Sequence, residues 1–177
     1  MNETTRYQPQ DASWRRQPVE QLRLLNPAFL GTLLYCAAKG HQQESQDQDG
    51  LPYALAFVAL PVVLHKATRE TLPRAINTSL AAWLSVNTSA QVGFPHRARA
   101  LAPLVRQAVA VSSAGGLIEL QGSSIVPSAT VRRINQYGSQ SASQEVINCA
   151  KKAVFVGRWF ATSGDYPTVM ALWGVRP

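Results

Sequence analysis

Apolar positions along the chain fall first into helical periods. From Arg23 to Lys39 the positions Leu24, Leu25, Ala28, Phe29, Thr32, Leu33, Cys36 and Ala37 recur at i, i+1, i+4 and i+5, which lays one apolar face along a helix. Asn26-Pro27 offers an N-cap and a first-turn proline, so the helix is predicted to start there, and Gly40 is expected to end it. The polar stretch 41–50, HQQESQDQDG, predicts a surface loop. Tyr53 to Leu64 is apolar nearly all round and predicts the most buried element, with Pro61 kinking or ending it. A further helix is expected to open at Leu72-Pro73 and run through Ile76, Leu80, Trp83 and Leu84 to about Asn87. Another follows Pro95, with Ala98, Leu101, Leu104, Val105, Ala108 and Val109 on one face, its regularity limited by Pro103 and its end set by Gly115-Gly116.

The period then changes. Leu117 to Leu120 and Ile125-Val126, separated by Gln121-Gly122-Ser123-Ser124, read as two short strands in a hairpin. Thr130 to Ser143 reads as a loop or short strand leaving it. A last long helix is expected from about Ser143 to Ala161, with Glu145 near its start and Lys151, Lys152 and Arg158 further on, as the helix dipole favours. Ser163-Gly164-Asp165 breaks it, and Tyr166-Pro167 opens a short final helix ending in Trp173-Gly174-Val175-Arg176-Pro177. Residues 1–18 are polar and predict a flexible lead-in, leaving 19–177 as a single helical domain. The fold class that results is mainly α (α+β), a compact helical domain with one small β-hairpin. Helices followed by a hairpin are also the order of a winged-helix domain, a reading that any small α+β domain shares.

Charge changes the picture more than composition does. Seventeen Lys and Arg stand against ten Asp and Glu, a formal +7, and residues 51–177 carry +8 of it while residues 1–50 carry −1. The excess therefore belongs to the globular part and favours an anionic or acidic partner. The two cysteines, Cys36 and Cys149, fall in helical stretches and predict reduced core thiols rather than a disulfide framework. The start Met1-Asn2-Glu3 lacks a leader pattern and no window reaches about 18 uninterrupted apolar residues, which predicts a cytoplasmic location without a membrane span.

Catalysis needs converging polar groups, and the chain offers few. His41, His65 and His96 have no second ligand at metal spacing and read as surface or capping histidines. After position 50 the acids are Glu70, Glu119, Glu145 and Asp165, with no pair at helical or strand spacing. No GxGxxG, GxxxxGK or GxSxG occurs. The expectation is a protein with no catalytic residue, no metal and no cofactor, and thus no enzyme. Arg132-Arg133 after the hairpin and Lys151-Lys152 on the long helix are candidates for phosphate contact with DNA, the plainer alternative being a solvated face. Arg158, set among large apolar side chains, reads as satisfying a buried carbonyl or carboxylate, and Arg176 shares that ambiguity.

Leu25-Asn26-Pro27-Ala28-Phe29, Leu60-Pro61 with Leu64-His65, Leu72-Pro73, Trp83-Leu84, Gly157-Arg158-Trp159-Phe160 and the terminal Leu172 to Pro177 together resemble the middle-component proteins of three-component ABC-ATPase systems, over about residues 20–177. The Lamassu-type antiphage systems are the version most similar. The resemblance implies a non-catalytic bridge between the heads of an SMC- or Rad50-like ATPase and an effector, often a nuclease, in a hetero-oligomer that meets DNA through the complex. It also implies that Asn26, Pro27, Phe29, Pro61, Trp83, Arg158, Trp159, Phe160 and Arg176 are fold or interface determinants. A stand-alone winged-helix DNA-binding regulator is the rival reading. For that role the helix after Pro95 carries His96, Arg97, Arg99 and Arg106 but few Asn, Gln or Ser base readers.

Overall fold

The computed structural model describes residues 25–47, 49–128 and 143–176. The expected lead-in at 1–18 and the connection after the hairpin, including Arg132 and Arg133, lie outside the described residues.

Helix α1, Pro27–Glu44, begins where Asn26 Oδ1 accepts the Ala28 N–H at 2.9 Å, with Pro27 in the first turn. A two-residue strand β1, Leu51–Pro52, leads directly into α2, Tyr53–Leu64. Then come α3, Lys66–Thr71; α4, Leu80–Val86; α5, Thr88–Gln91; and the 21-residue α6, Phe94–Ala114. The hairpin strands are β2, Ile118–Gln121, and β3, Ser124–Pro127, and the chain continues through α7, Gln144–Ala161, and α8, Tyr166–Leu172. Among the described residues these make eight helices and one antiparallel three-stranded sheet in the order β1-β3-β2, a mainly helical α+β fold as the sequence predicts. Gly122, at φ 59, begins the two-residue connection of β2 to β3. The sequence does not foretell β1, which adds Leu51 opposite Ile125 and Pro52 opposite Ser124. Pro52 has no N–H to donate, and its place on the edge strand is the one a sheet tolerates.

Several expected boundaries move, each for a tertiary reason. Gly40 does not end α1, which runs on to Glu44. Instead Gly40 lies against the backbone of α7: a Cβ on it would stand 2.1 Å from the Val154 carbonyl oxygen. Gly157 answers from the other side, where a Cβ would stand 2.0 Å from the Ala37 carbonyl oxygen. Both glycines serve a backbone-to-backbone crossing that a methyl group would prop apart. The longer helix also takes His41 out of the predicted loop: it is buried, and its Nδ1 faces the Asp49 carbonyl oxygen at 3.2 Å. Burial holds the pKa of His41 below the ordinary histidine value.

Pro61 neither ends nor splits α2, which continues one more turn to Leu64 in surroundings that bury Leu55, Val58, Leu60, Pro61, Val62 and Val63. Pro103 likewise sits inside the uninterrupted α6. The Leu72-Pro73 segment is not helical, and α4 begins only after Ser79, whose side chain caps the Ala82 N–H. Carbonyls at the end of α3 and in this segment are taken by side chains from elsewhere: Thr71 by the Trp83 indole N–H at 3.0 Å, Thr78 by the Trp159 indole N–H at 2.7 Å, and Ile76 by the Thr162 hydroxyl at 3.1 Å. With partners of that kind the segment does not need the helical ladder. The stop at Gly115-Gly116, the start of α7 after Ser143 and the break at Ser163-Gly164-Asp165 fall where expected, with Gly116 at φ 67 and Asp165 capping the Thr168 N–H.

The core is one apolar cluster drawn from α1, α2, α6 and α7, with an aromatic group closing one end. There Trp83 and Trp159 meet edge to face at 5.4 Å, Trp173 lies 6.1 Å from Trp83 and 4.4 Å from Phe94, and Phe160 is fully buried beside Trp159. Cys36 and Cys149 are buried and free, and burial pushes the Cys36 thiol up to about 11, so it stays protonated at neutral pH. Among the described residues no helix is long and apolar enough to cross a membrane.

Two substitutions test this account. Gly157→Ala is expected to destabilise by roughly 1–3 kcal/mol through overpacking, read as a lower denaturant midpoint at unchanged slope. An unchanged midpoint would contradict the helix contact. Trp159→Ala removes a buried aromatic and is expected to cost roughly 3–5 kcal/mol, enough to lower the melting temperature by about 10 °C. A melting curve that overlays the parent's would contradict its burial.

Candidate functional site

The family-motif residues separate into two groups once their surroundings are known. Asn26 and Pro27 build the start of α1, Phe29 is half-buried against the core, Pro61 is enclosed in α2, and Trp83, Trp159 and Phe160 form the aromatic end. Seven of the nine therefore act within the fold. Arg158 and Arg176 remain accessible. Arg158 reaches from α7 to α1, where its Nε donates to Glu44 Oε1 at 2.7 Å and its Nη2 donates to the same oxygen. This is the carboxylate partner expected from the sequence, although the side chain is half-exposed rather than embedded.

Arg176 belongs to a different setting. It lies on the rim of a groove of about 700 Å³ between α2, α6 and the C-terminal end of α8. Two more arginines, Arg99 and Arg106, stand on the same rim. They are seven residues apart on α6, and two turns of helix set their Cα atoms about 10.5 Å apart on one face. Beside them Ala98 and Ala102 keep the floor low, because a methyl side chain leaves a hollow where a longer one would fill it. Across from them Tyr53 and Phe57 project from α2, their rings edge to face at 5.3 Å, and Met170 closes the end. The Arg106 guanidinium lies 5.6 Å over the Phe57 ring, a cation–π contact that fixes the side chain at the wall.

The rim arginines take no part in the ion pairs of the described residues. Among the described residues the carboxylate pairs are Lys66 with Glu70, Arg69 with Glu145, and Arg158 with Glu44, while Arg97 donates to the carbonyls of Val92 and Ala90 at 2.7 and 3.1 Å. Arg99, Arg106 and Arg176 have no carboxylate partner there, and none lines the groove. Arg69 is the buried counterpart: its Nη1 donates to the Val63 carbonyl at 2.6 Å and its Nη2 to Glu145. The pairing of α3 with α7 had no signal in the sequence. The groove did have one, the spacing Arg99, Ala102, Arg106 at i, i+3 and i+7, of which the sequence-based reading takes only Arg99 and Arg106, with His96 and Arg97, as part of a candidate DNA-reading helix.

The candidate DNA contacts are partly placed. Lys151 is exposed on α7, and the half-buried Lys152 holds its ammonium 5.4 Å over the Phe155 ring. Both border a shallow hollow that also contains Glu70 and Glu145, so their positive field is offset nearby. Their proposed partners Arg132 and Arg133 lie outside the described residues. Among the described residues no group of three or more His, Cys, Asp and Glu is placed to hold a metal ion. His65 caps α3, its Nδ1 accepting the Thr68 N–H at 3.4 Å and lying 2.7 Å from the Thr68 hydroxyl, and burial with Arg97 and Arg69 nearby lowers its pKa.

No curated protein and no solved structure matches the chain. A family model described as ABC-three component (ABC-3C) system Middle Component 3 matches residues 14–177. The match spans the aromatic end, the glycine crossing and the arginine-rimmed groove alike, and the chain belongs to that family of middle components of ABC-ATPase three-component systems.

Proposed function

We propose that the protein is a non-catalytic accessory subunit of an SMC- or Rad50-like ABC-ATPase complex of antiviral defence, of the Lamassu type. In this reading it bridges the ATPase heads and an effector, such as a nuclease, and helps the assembly sense DNA in the cytoplasm. The observation that supports it is the open groove with three arginines that have no carboxylate partner among the described residues, a concave, partly apolar surface suited to holding another chain. Its polar side chains are three arginines and Tyr53, with no carboxylate or histidine among the described lining residues, which suits recognition better than proton transfer. Membership of the middle-component family supplies the setting, since a middle component works alongside the other subunits of its system.

Co-expression with an ABC ATPase and an effector of the same three-component system, followed by gel filtration, tests the proposal. A co-eluting complex is the expected result, and a chain that elutes alone in the presence of its ATPase would overturn it. Sequence-selective DNA binding by the isolated chain would favour a winged-helix regulator instead.

A DNA-facing role for Lys151 and Lys152 gives a second test. Reversing both, Lys151→Glu with Lys152→Glu, is expected to weaken DNA binding by the complex and to reduce the log–log salt slope by up to about 2 units, roughly one per lost phosphate contact. Unchanged affinity and slope at low salt would mark the two lysines as solvated surface.

A further inference from the structure

We infer that the groove between α2, α6 and α8 receives an acidic amphipathic helix from a partner subunit of the assembly. The inference rests on the proposed role as a docking subunit and specifies what that subunit grips.

Three features of the groove select such an occupant. Its rim is cationic, with Arg99, Arg106 and Arg176 and, among the described residues, no lining carboxylate to neutralise them. Its floor is apolar, made by Ala98, Ala102 and Met170 with the edges of Tyr53 and Phe57. A guest therefore needs carboxylates along its flank and aliphatic or aromatic side chains beneath. The rim also has a helical repeat: Arg99 and Arg106 are two turns apart, so acids at i and i+7 on a guest helix lying alongside α6 would meet both, while apolar residues about a quarter-turn round that helix, at i+3, i+6 and i+10, face the floor. Each guanidinium can take a carboxylate through two parallel N–H donors, which fixes register as well as sign.

Two other occupants fit less well. A nucleic acid strand would use the arginines for phosphates and the rings for stacking, but the Arg106 guanidinium already covers Phe57, and Tyr53 meets that ring edge on. A second copy of this chain would have to present acid and apolar side chains together. Its densest acidic stretch, Glu44 to Asp49, contains only Ser and Gln besides the acids.

The test uses the co-expressed full-length complex. Photoreactive p-benzoylphenylalanine is placed at position 103, where the exposed Pro103 stands between Arg99 and Arg106 on α6, and the cross-linked peptide is identified by mass spectrometry. The expected product joins α6 to a partner segment carrying at least two Asp or Glu about two turns apart with apolar residues between them. Cross-links to DNA, to a second copy or to a segment without acids would overturn the inference. In parallel, Arg99→Glu with Arg106→Glu is expected to weaken subunit association at least about tenfold, while Arg99→Lys with Arg106→Lys retains most of it. Should the parent complex assemble and the double reversal assemble equally well, the groove is not the contact and the accessory role stands. Should the parent fail to assemble, both fall. Melting temperatures of the purified variants exclude unfolding as the cause of any loss.

Discussion

The contact between α1 and α7 is the constraint on which the rest of the structure depends. It is the most extensive helix pairing in the molecule, and it is possible only because Gly40 and Gly157 leave the two backbones touching, each beside a carbonyl of the other helix. Where side chains are absent, dispersion acts between backbones and no void is left to weaken it. Arg158 and Glu44 then tie the same pair at its outer end. The central helix α1 also uses a third glycine, Gly31, against Ser112 of α6, so both long helices are held to one axis at short range. The position of α6, and with it the groove wall carrying Arg99 and Arg106, follows from that arrangement.

The opposite wall of the groove depends on the aromatic end. Trp173, at the end of α8, packs on Phe94 at the start of α6 and on Trp83 of α4, which draws Met170, Val175 and Arg176 alongside Arg99. The indole N–H groups of Trp83 and Trp159 engage backbone carbonyls at the end of α3 and in the non-helical segment that follows it, so large apolar bodies are buried without leaving those donors unmet. The Gln91 amide adds a bond from α5 to the Leu172 carbonyl at 2.8 Å. Short helices that could not stand alone are thus held by side-chain-to-backbone bonds across long sequence separations.

Cations in this protein divide by burial and by partner. Arg69, almost fully buried, is matched by Glu145 and by the Val63 carbonyl, which such a position demands. On the rim, Arg99, Arg106 and Arg176 stay in contact with solvent and carry no such obligation within the described residues. The net positive charge of the chain is therefore concentrated, in part, on a concave surface with an apolar floor. In this middle component of an ABC-ATPase system the same surface thus offers charge on its rim and apolar area on its floor.

The sequence by itself determined the elements whose signals are local. The start of α1 at Asn26-Pro27, the hairpin around Gly122, the stop at Gly115-Gly116, the span of α7 and the apolar character of α2 are all legible because caps, turns and periodicity act over a few residues. So are the resemblance to the middle-component family and the basic balance after position 50. Only the tertiary structure decided what Gly40 and Gly157 do, since a glycine that ends a helix and one that admits a neighbouring backbone are the same letter. It also decided that Pro61 and Pro103 are carried within helices, that residues 72–79 leave the helical ladder, and that β1 joins the hairpin. The groove belongs to the same class: the i, i+3, i+7 row of Arg99, Ala102 and Arg106 was readable, but its facing wall comes from residues more than forty positions away on one side and more than sixty on the other. Local propensity sets where a helix can form, whereas a concave surface exists only once helices distant in sequence have been packed together.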